Sequence, residues 1–316
     1  MIHYWAMENS AAKFLPPRVL AWEVTRRCPL RCRHCRAGAA DVPYERELDT
    51  SECLRVVDSL ATLRPAPMII WPGGEPMLRP DILELVARAT AGGIRSVMAP
   101  CGLLVTEERL RELKGAGVMA CSFSLDGSDA ASHDAFRGVP GAFENVTRAM
   151  RIAHSIGMPF QVNTTVSTLN VDRLPEIHAL AVELGAAKLD LFFLVPVGRG
   201  KAIADYALDE ARTREVLDWA FQRAAEGPLA IKETCCPMAP GHWTQWCAAH
   251  PQLQSPRPCG CLGGRGFAFL SHVGDLQTCG FIDVPCGNIR DFGLDFGALC
   301  AAAANPLGTC GTCRGR

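Results

Sequence analysis

The chain is short of net charge, of long apolar runs and of any leader-like start. Its 316 residues carry 32 Lys and Arg against 33 Asp and Glu, a net charge of −1. Without a basic field there is nothing to hold nucleic acid, and without a polybasic segment nothing to hold a membrane surface. Partners of either kind are not expected. The opening residues, Met1-Ile2-His3-Tyr4-Trp5-Ala6-Met7-Glu8-Asn9, show no charged stretch followed by an apolar one, and no later run approaches the length of a membrane span. The chain therefore reads as cytoplasmic. No internal repeat or low-complexity tract interrupts it, and 48% hydrophobic content suits one large domain plus a smaller one, or a single barrel.

What the chain has in excess is cysteine, 16 in all. A disulfide framework belongs to short secreted chains, whereas a long chain without an export signal keeps its thiols reduced, and clustered thiols there bind metal. The distribution agrees. Three cysteines form one opening cluster, Cys53, Cys101 and Cys121 stand alone in apolar segments, and ten lie after residue 234. Isolated cysteines of that kind act as small apolar fillers, so no metal is assigned to those three.

The opening cluster is Cys28-Pro29-Leu30-Arg31-Cys32-Arg33-His34-Cys35, directly after the apolar run Val19–Thr25. Three thiolates at this spacing leave one iron of a four-iron cube without a protein ligand. Structural zinc is the alternative; it requires four closed ligands, and His34, lying between two of the cysteines, is poorly placed to complete a tetrahedron.

From Val19 to Val197 short β-rich runs alternate with amphipathic stretches. The patterning predicts strands at Val19–Thr25, Met68–Pro72, Arg95–Ala99, Ala120–Leu125, Phe160–Val166 and Lys188–Val195. It predicts helices at Thr50–Leu63, Arg79–Ala91, Thr106–Lys114, Gly141–Ile156, Val171–Leu184 and Leu208–Ala225, several opened by Ser, Thr or Asp and closed by Gly. Strands alternating with helices imply right-handed crossovers and a parallel sheet, either doubly wound or a barrel, with ligands at the carboxyl ends of the strands.

The chemistry-bearing residues fall at those ends. The cysteine loop follows the first strand, Gly73-Gly74-Glu75-Pro76 the second, Cys101-Gly102 the third and Asp126-Gly127 the fourth. Two glycines let backbone approach a ligand, and a carboxylate beside them accepts from an ammonium group. Alternation along Ser122-Phe123-Ser124-Leu125-Asp126 puts Ser124 and Asp126 on one face. Arg137 is a candidate to hold a carboxylate in a bidentate grip, and Asn163 on the fifth strand is a candidate to face the same ligand.

The Cys-x3-Cys-x2-Cys loop with an intact Gly-Gly-Glu-Pro resembles the radical SAM enzymes. That resemblance implies a partial (β/α)6 barrel. It also implies a [4Fe-4S] cluster on Cys28, Cys32 and Cys35, with S-adenosylmethionine (SAM) chelating the unique iron and cleaved reductively to a 5′-deoxyadenosyl radical. By the same resemblance Gly73 to Pro76 bind the SAM amino group, Ser124 and Asp126 the ribose hydroxyls, and Arg137 and Asn163 further parts of the cofactor.

Beyond Gly227 the composition shifts to Pro, Gly and Cys, which divides the chain into an N-terminal segment 1–17, a barrel 18–227 and a cysteine-rich region 228–316. The pattern Cys261-x12-Gly274-x4-Cys279 followed by Cys310-x2-Cys313 is similar to the SPASM/twitch extensions, and implies one auxiliary [4Fe-4S] cluster on Cys261, Cys279, Cys310 and Cys313. Zinc meets the same four-cysteine requirement. Cys235, Cys236, Cys247, Cys259, Cys286 and Cys300 are spare and can substitute.

Met98–Gly102, Ser124–Gly127, Ser132–Gly138, Val162–Val166, Leu194–Gly200 and Gly260–Phe267 together resemble the heme synthases of the siroheme-dependent pathway and their relatives. The implied reaction is oxidative decarboxylation of two propionates of iron-coproporphyrin III to vinyls, with a low-potential donor such as ferredoxin or flavodoxin. Arg199, Lys201 and Arg265 are candidate carboxylate partners, and His242, Trp243, Trp246 and His250 a candidate porphyrin platform. Another radical SAM/SPASM enzyme and a cysteine-rich metal-binding scaffold are the competing readings.

Overall fold

The computed structural model describes Phe14 and residues 16–303. Cys310 and Cys313 lie outside the described residues. The first half repeats one unit, a short buried strand followed by a helix that covers it. Strand β1 (Val19–Trp22) is followed by α1 (Thr50–Thr62), β2 (Met68–Trp71) by α2 (Ile82–Ala91), and β3 (Ser96–Met98) by α3 (Glu107–Ala116). After β4 (Val118–Ser124) come α4 (Ala130–Arg137) and α5 (Ala142–Ser155); β5 (Phe160–Val166) precedes α6 (Leu174–Glu183), and β6 (Lys188–Phe193) precedes α7 (Glu210–Glu226).

Local chemistry explains the boundaries. Asp49 and Glu52 form a reciprocal capping box at α1, which buries Cys53, Val56, Val57 and Leu60 at helical spacing. Helix α3 starts at the Thr106 cap and runs two residues past the expected end, to Gly117. That glycine adopts φ +109°, and an added Cβ there would meet the Thr90 hydroxyl at 2.1 Å.

The remaining strands enlarge the same sheet. β7 (Ala230–Thr234) and α8 (Ala239–Ala249) follow α7; β8 (Phe267–Leu270), β9 (Asp275–Gln277), β10 (Gly287–Asn288) and α9 (Phe296–Ala302) complete the described chain. Among the described residues the order is β10-β9-β8-β1-β2-β3-β4-β5-β6-β7. Every pair from β8 through β1 to β7 is parallel, and the β8–β9 and β9–β10 pairs are antiparallel. This is the parallel α/β sheet that the alternation of strands and helices implies. The composition break at Gly227 is not a break in the sheet, because β7 adds to β6 and β8 adds to the free edge of β1. A hairpin turning at Val273-Gly274-Asp275 joins β8 to β9, with Gly274 at φ +91°. Trp22 and Trp71 stack at 5.5 Å in the core under the first two strands.

β1 runs into Glu23, whose side chain is fully buried between Arg36, Arg26 and His272. Burial alone would raise its carboxyl pKa, but the His272 hydrogen bond and the two guanidinium groups hold it down at about 2. A carboxyl depressed from its ordinary value stabilises the fold above that value, and the contribution disappears as pH falls toward 2. The shift corresponds to about 3 kcal/mol. In urea unfolding of the metal-free protein, the stability gap between wild type and Glu23→Gln should shrink by that amount between about pH 5 and pH 2. A gap independent of pH would refute this account.

Candidate active site

The cysteine loop leaves the sheet at the end of β1 and is fastened from several sides. Cys28 N–H donates to Ala40 O at 3.0 Å, Arg31 N–H to Arg137 O at 3.1 Å and Arg33 N–H to Phe136 O at 2.9 Å. Arg199 braces it from the loop after β6, its guanidinium donating to Cys32 O at 2.9 Å and Ala39 O at 2.6 Å. Arg199 is therefore a clamp on the loop rather than a surface charge.

The three thiols line a cavity of about 300 Å³ at the carboxyl ends of the strands. Gly73 and Gly74 line it from the β2 end, Ser124 from β4, Arg137 from α4, Asn163 from β5, and Phe192 to Val195 from the end of β6. The two glycines have a second reason to lack a side chain. A Cβ on Gly74 would sit 2.2 Å from Arg27 O, and one on Gly73 2.6 Å from Thr25 O. That contact carries the bonds Gly74 N–H to Thr25 O at 2.7 Å and Glu75 N–H to Arg27 O at 2.8 Å, which dock the β2 loop onto the segment leading to Cys28.

Two expected contacts face elsewhere. Glu75 does not line the cavity; it is fully buried and accepts from Met77 N–H at 2.9 Å and Cys101 N–H at 2.5 Å, tying the β2 loop to the β3 loop. Burial pushes its carboxyl up, against those two donors. Pro76 begins the short 3-10 turn behind it. Asp126, expected on the face of Ser124, lies past the strand end, where it accepts from Thr165 N–H at 2.6 Å and pairs with Arg137. The alternation that set its expected face stops with the strand.

Burial pushes the Cys28 thiol up to about 12 and also raises Cys32, although Arg137, 3.7 Å from the Cys32 sulfur, opposes this. The thiolate is the metal ligand, so loading iron here must release protons. Among the described residues no three His, Cys, Asp or Glu side chains converge as a single metal ion would require. A cube spreads its thiolates over separate irons around a volume, and three sulfurs lining a cavity with Leu30, Ala37 and Ala39 fit that donor set.

His34 and Cys101, to which the sequence assigns no ligand role, also line the cavity. His34 stacks on Phe136 at 4.7 Å with its Nδ1 buried and unpartnered. Cys101 sits at the third strand end, where the sequence places it, with its thiol at the cavity wall rather than wholly in the core. The candidate porphyrin platform is packing: Trp246 stacks on His250 at 4.6 Å and meets Phe221 of α7, while His242 bonds Asp218 at 2.7 Å and Trp243 donates to Ser255 O.

Below the cavity the sheet face stays polar. Cross-strand register sets Ser124, Asn163, Asp190 and Lys232 in one row and Ser122, Gln161 and Lys188 in the next. Asp190 accepts from Thr234 Oγ1 at 2.6 Å and lies 3.5 Å from Lys232 Nζ and 3.9 Å from Lys188 Nζ, and the buried Glu233 carboxyl is within electrostatic reach of both lysines.

Of the auxiliary ligand set, Cys261 is exposed and Cys279 half-buried, each within electrostatic reach of the other. Cys235, at the end of β7 with φ +61°, is near both. Arg265 is exposed and donates to Cys261 O at 2.6 Å; Lys201 is exposed. No described helix is long and apolar enough to cross a membrane.

Residues 22–181 match the family model described as the Radical SAM superfamily. The AdoMet-dependent heme synthase of Nitratidesulfovibrio vulgaris is 41% identical over 87% of this chain and 76% of its own length. A protein of the same description from Methanosarcina barkeri is 37% identical over 87% of this chain and 80% of its own. The Streptococcus suis SuiB crystal structure bound to S-adenosylmethionine superposes with a TM-score of 0.68 at 17% identity, over 92% of this chain and 66% of that one, just short of two thirds. Native anSMEcpe with bound AdoMet and Cp18Cys peptide gives a TM-score of 0.66 at 17% identity, over 90% and 80%.

Proposed function

Because the chain belongs to the radical SAM superfamily and is a radical SAM enzyme, we propose that it converts two propionates of iron-coproporphyrin III to vinyls by oxidative decarboxylation. The observation that carries the reading is the cavity at the strand ends, where three thiols share walls with Gly73, Gly74, Arg137, Ser124 and Asn163. The names of the relatives support the heme branch. Cys28, Cys32 and Cys35 would hold the cube, which when loaded and reduced supplies the electron that cleaves SAM to the deoxyadenosyl radical.

The chain's own residues do the rest. Arg137 balances the thiolate charge at Cys32. Gly73 and Gly74 offer close backbone to the methionyl end of SAM, with Glu75 fixing the loops behind them, while Ser124 and Asn163 offer hydroxyl and amide groups to the ribose. Phe192 to Val195 close the apolar side and keep water from a reactive carbon. Lys188 and Lys232, on the sheet face that carries Ser124 and Asn163, offer ammonium groups to the carboxylates of a tetrapyrrole. Each propionate gives up one hydrogen atom, one carbon dioxide and one electron, and the alkene forms as the carbon–carbon bond to the carboxylate breaks. A cluster on Cys261, Cys279, Cys310 and Cys313 would accept that electron, and a small low-potential electron-transfer protein such as ferredoxin or flavodoxin would prime the first one.

Anaerobically reconstituted protein should form 5′-deoxyadenosine from SAM and reductant, with iron-coproporphyrin III converted through a monovinyl species to heme by mass spectrometry. Deoxyadenosine formed without any change to the porphyrin would overturn the substrate and leave another tetrapyrrole or a peptide. No deoxyadenosine would overturn the SAM reading.

A further inference from the structure

A cube is held by four thiolates when a protein supplies them all, and the cavity contains a fourth cysteine. Cys101 lines it together with Cys28, Cys32 and Cys35, and packs against the small apolar cluster that Cys28 and Cys32 form with Leu30, Ala39 and Ala142. The other two isolated cysteines behave differently. Cys53 and Cys121 are fully buried, their sulfurs spent on Leu48 O and the Met158 sulfur. Cys101 keeps partial exposure toward the cavity.

Its position is held from both sides. Its N–H donates to Glu75 at 2.5 Å. Gly102, next in the chain, sits at φ +94° with the Val146 backbone 2.8 Å from where a Cβ would stand. The loop has no room to slide away.

We infer that Cys101 is a displaceable fourth ligand, capping the open iron of the cube on Cys28, Cys32 and Cys35 until SAM takes its place. The inference rests on the radical SAM reading of that cavity. In the exchange the iron–sulfur bond to Cys101 breaks and an iron–nitrogen bond to the SAM amino group forms. The ammonium loses one proton, and the Cys101 thiolate receives it. No electron moves, so no oxidant or reductant is needed. The resting cube is closed against oxidants, and SAM must compete with a thiolate for its site.

The test compares wild type, Cys101→Ala and Cys101→Ser after anaerobic reconstitution, with a Cys28→Ala/Cys32→Ala/Cys35→Ala variant run in parallel so that signals from any second cluster are subtracted. Without SAM, mild ferricyanide should turn the alanine variant's cube into a three-iron species seen by EPR while wild type resists, and SAM should erase the difference. If the capped form makes up about nine-tenths of resting enzyme, Cys101→Ala should bind SAM about tenfold more tightly. Cys101→Ser, a poorer iron ligand of similar size, should shift the same way by less, and it decides the matter if the alanine variant does not fold. Equal oxidation and equal SAM affinity in all three would overturn the cap. If the triple variant kept the full iron content and spectrum, the underlying reading would fall instead.

Discussion

The Cys28→Ala/Cys32→Ala/Cys35→Ala variant is expected to fold, to lose about one cube of iron, and to make no 5′-deoxyadenosine above background. Folding should survive because main-chain bonds hold the loop. Cys28, Arg31 and Arg33 donate through their amides, and Arg199 clamps Cys32 O and Ala39 O, none of which involves sulfur. Trimming three small side chains around an existing cavity costs about 1 kcal/mol each. Iron and sulfide analysis, a melting curve of the metal-free protein and chromatography of the reaction check the three parts. Deoxyadenosine production at the wild-type rate would remove the three cysteines from the mechanism.

The largest loss of stability should come from Arg137→Leu. Asp126 is fully buried and Arg137 nearly so, and each faces the other in the wall of the cavity. Burial works against the Arg137 charge, yet Asp126 and the Cys32 thiolate together hold its pKa above the ordinary value. Removing the cation strands a buried carboxylate whose other partner among the described residues is the Thr165 amide, at a cost of about 3–5 kcal/mol. Thermal unfolding should drop by roughly 6–15 °C. Adding Asp126→Asn should recover much of that loss, because it removes the stranded charge. Cluster loading and SAM binding should not recover, because the cation beside Cys32 is still missing. A single variant that melts like wild type, or a double variant that regains SAM binding, would contradict this division of labour.

The strand positions were legible because buried parallel strands between capped helices leave a strong pattern. Phe160–Val166 was readable to the residue, since apolar and polar residues alternate along it with Thr164 alone breaking the pattern, and burial alternates throughout. Helix α4 leaves little apolar period because it is only eight residues long and two of the three residues it buries, His133 and Arg137, are polar. The second half was harder to read. β7 and α8 lie among Pro, Gly and Cys, and strands that complete a sheet made by distant residues need little local signal of their own. Alternation correctly put Ser124 at the cavity but could not place Asp126, whose direction is set by Arg137 eleven positions on. Glu75 escaped for the same reason, since its partner is the amide of Cys101 on the next strand's loop.

The pairing of β1 with β8, Val19 beside Phe267, also sets a timetable. One edge of the strand that launches the cysteine loop stays open until β8 has left the ribosome, on the order of tens of seconds after β1 at ordinary elongation rates. The contact is of high sequence separation, which slows folding. For that interval Val19-Leu20-Ala21-Trp22 is an apolar template for pairing with a neighbouring chain. Cluster assembly must wait for the last strands, and expression that outpaces this late closure should fill inclusion bodies rather than yield apoenzyme ready for iron.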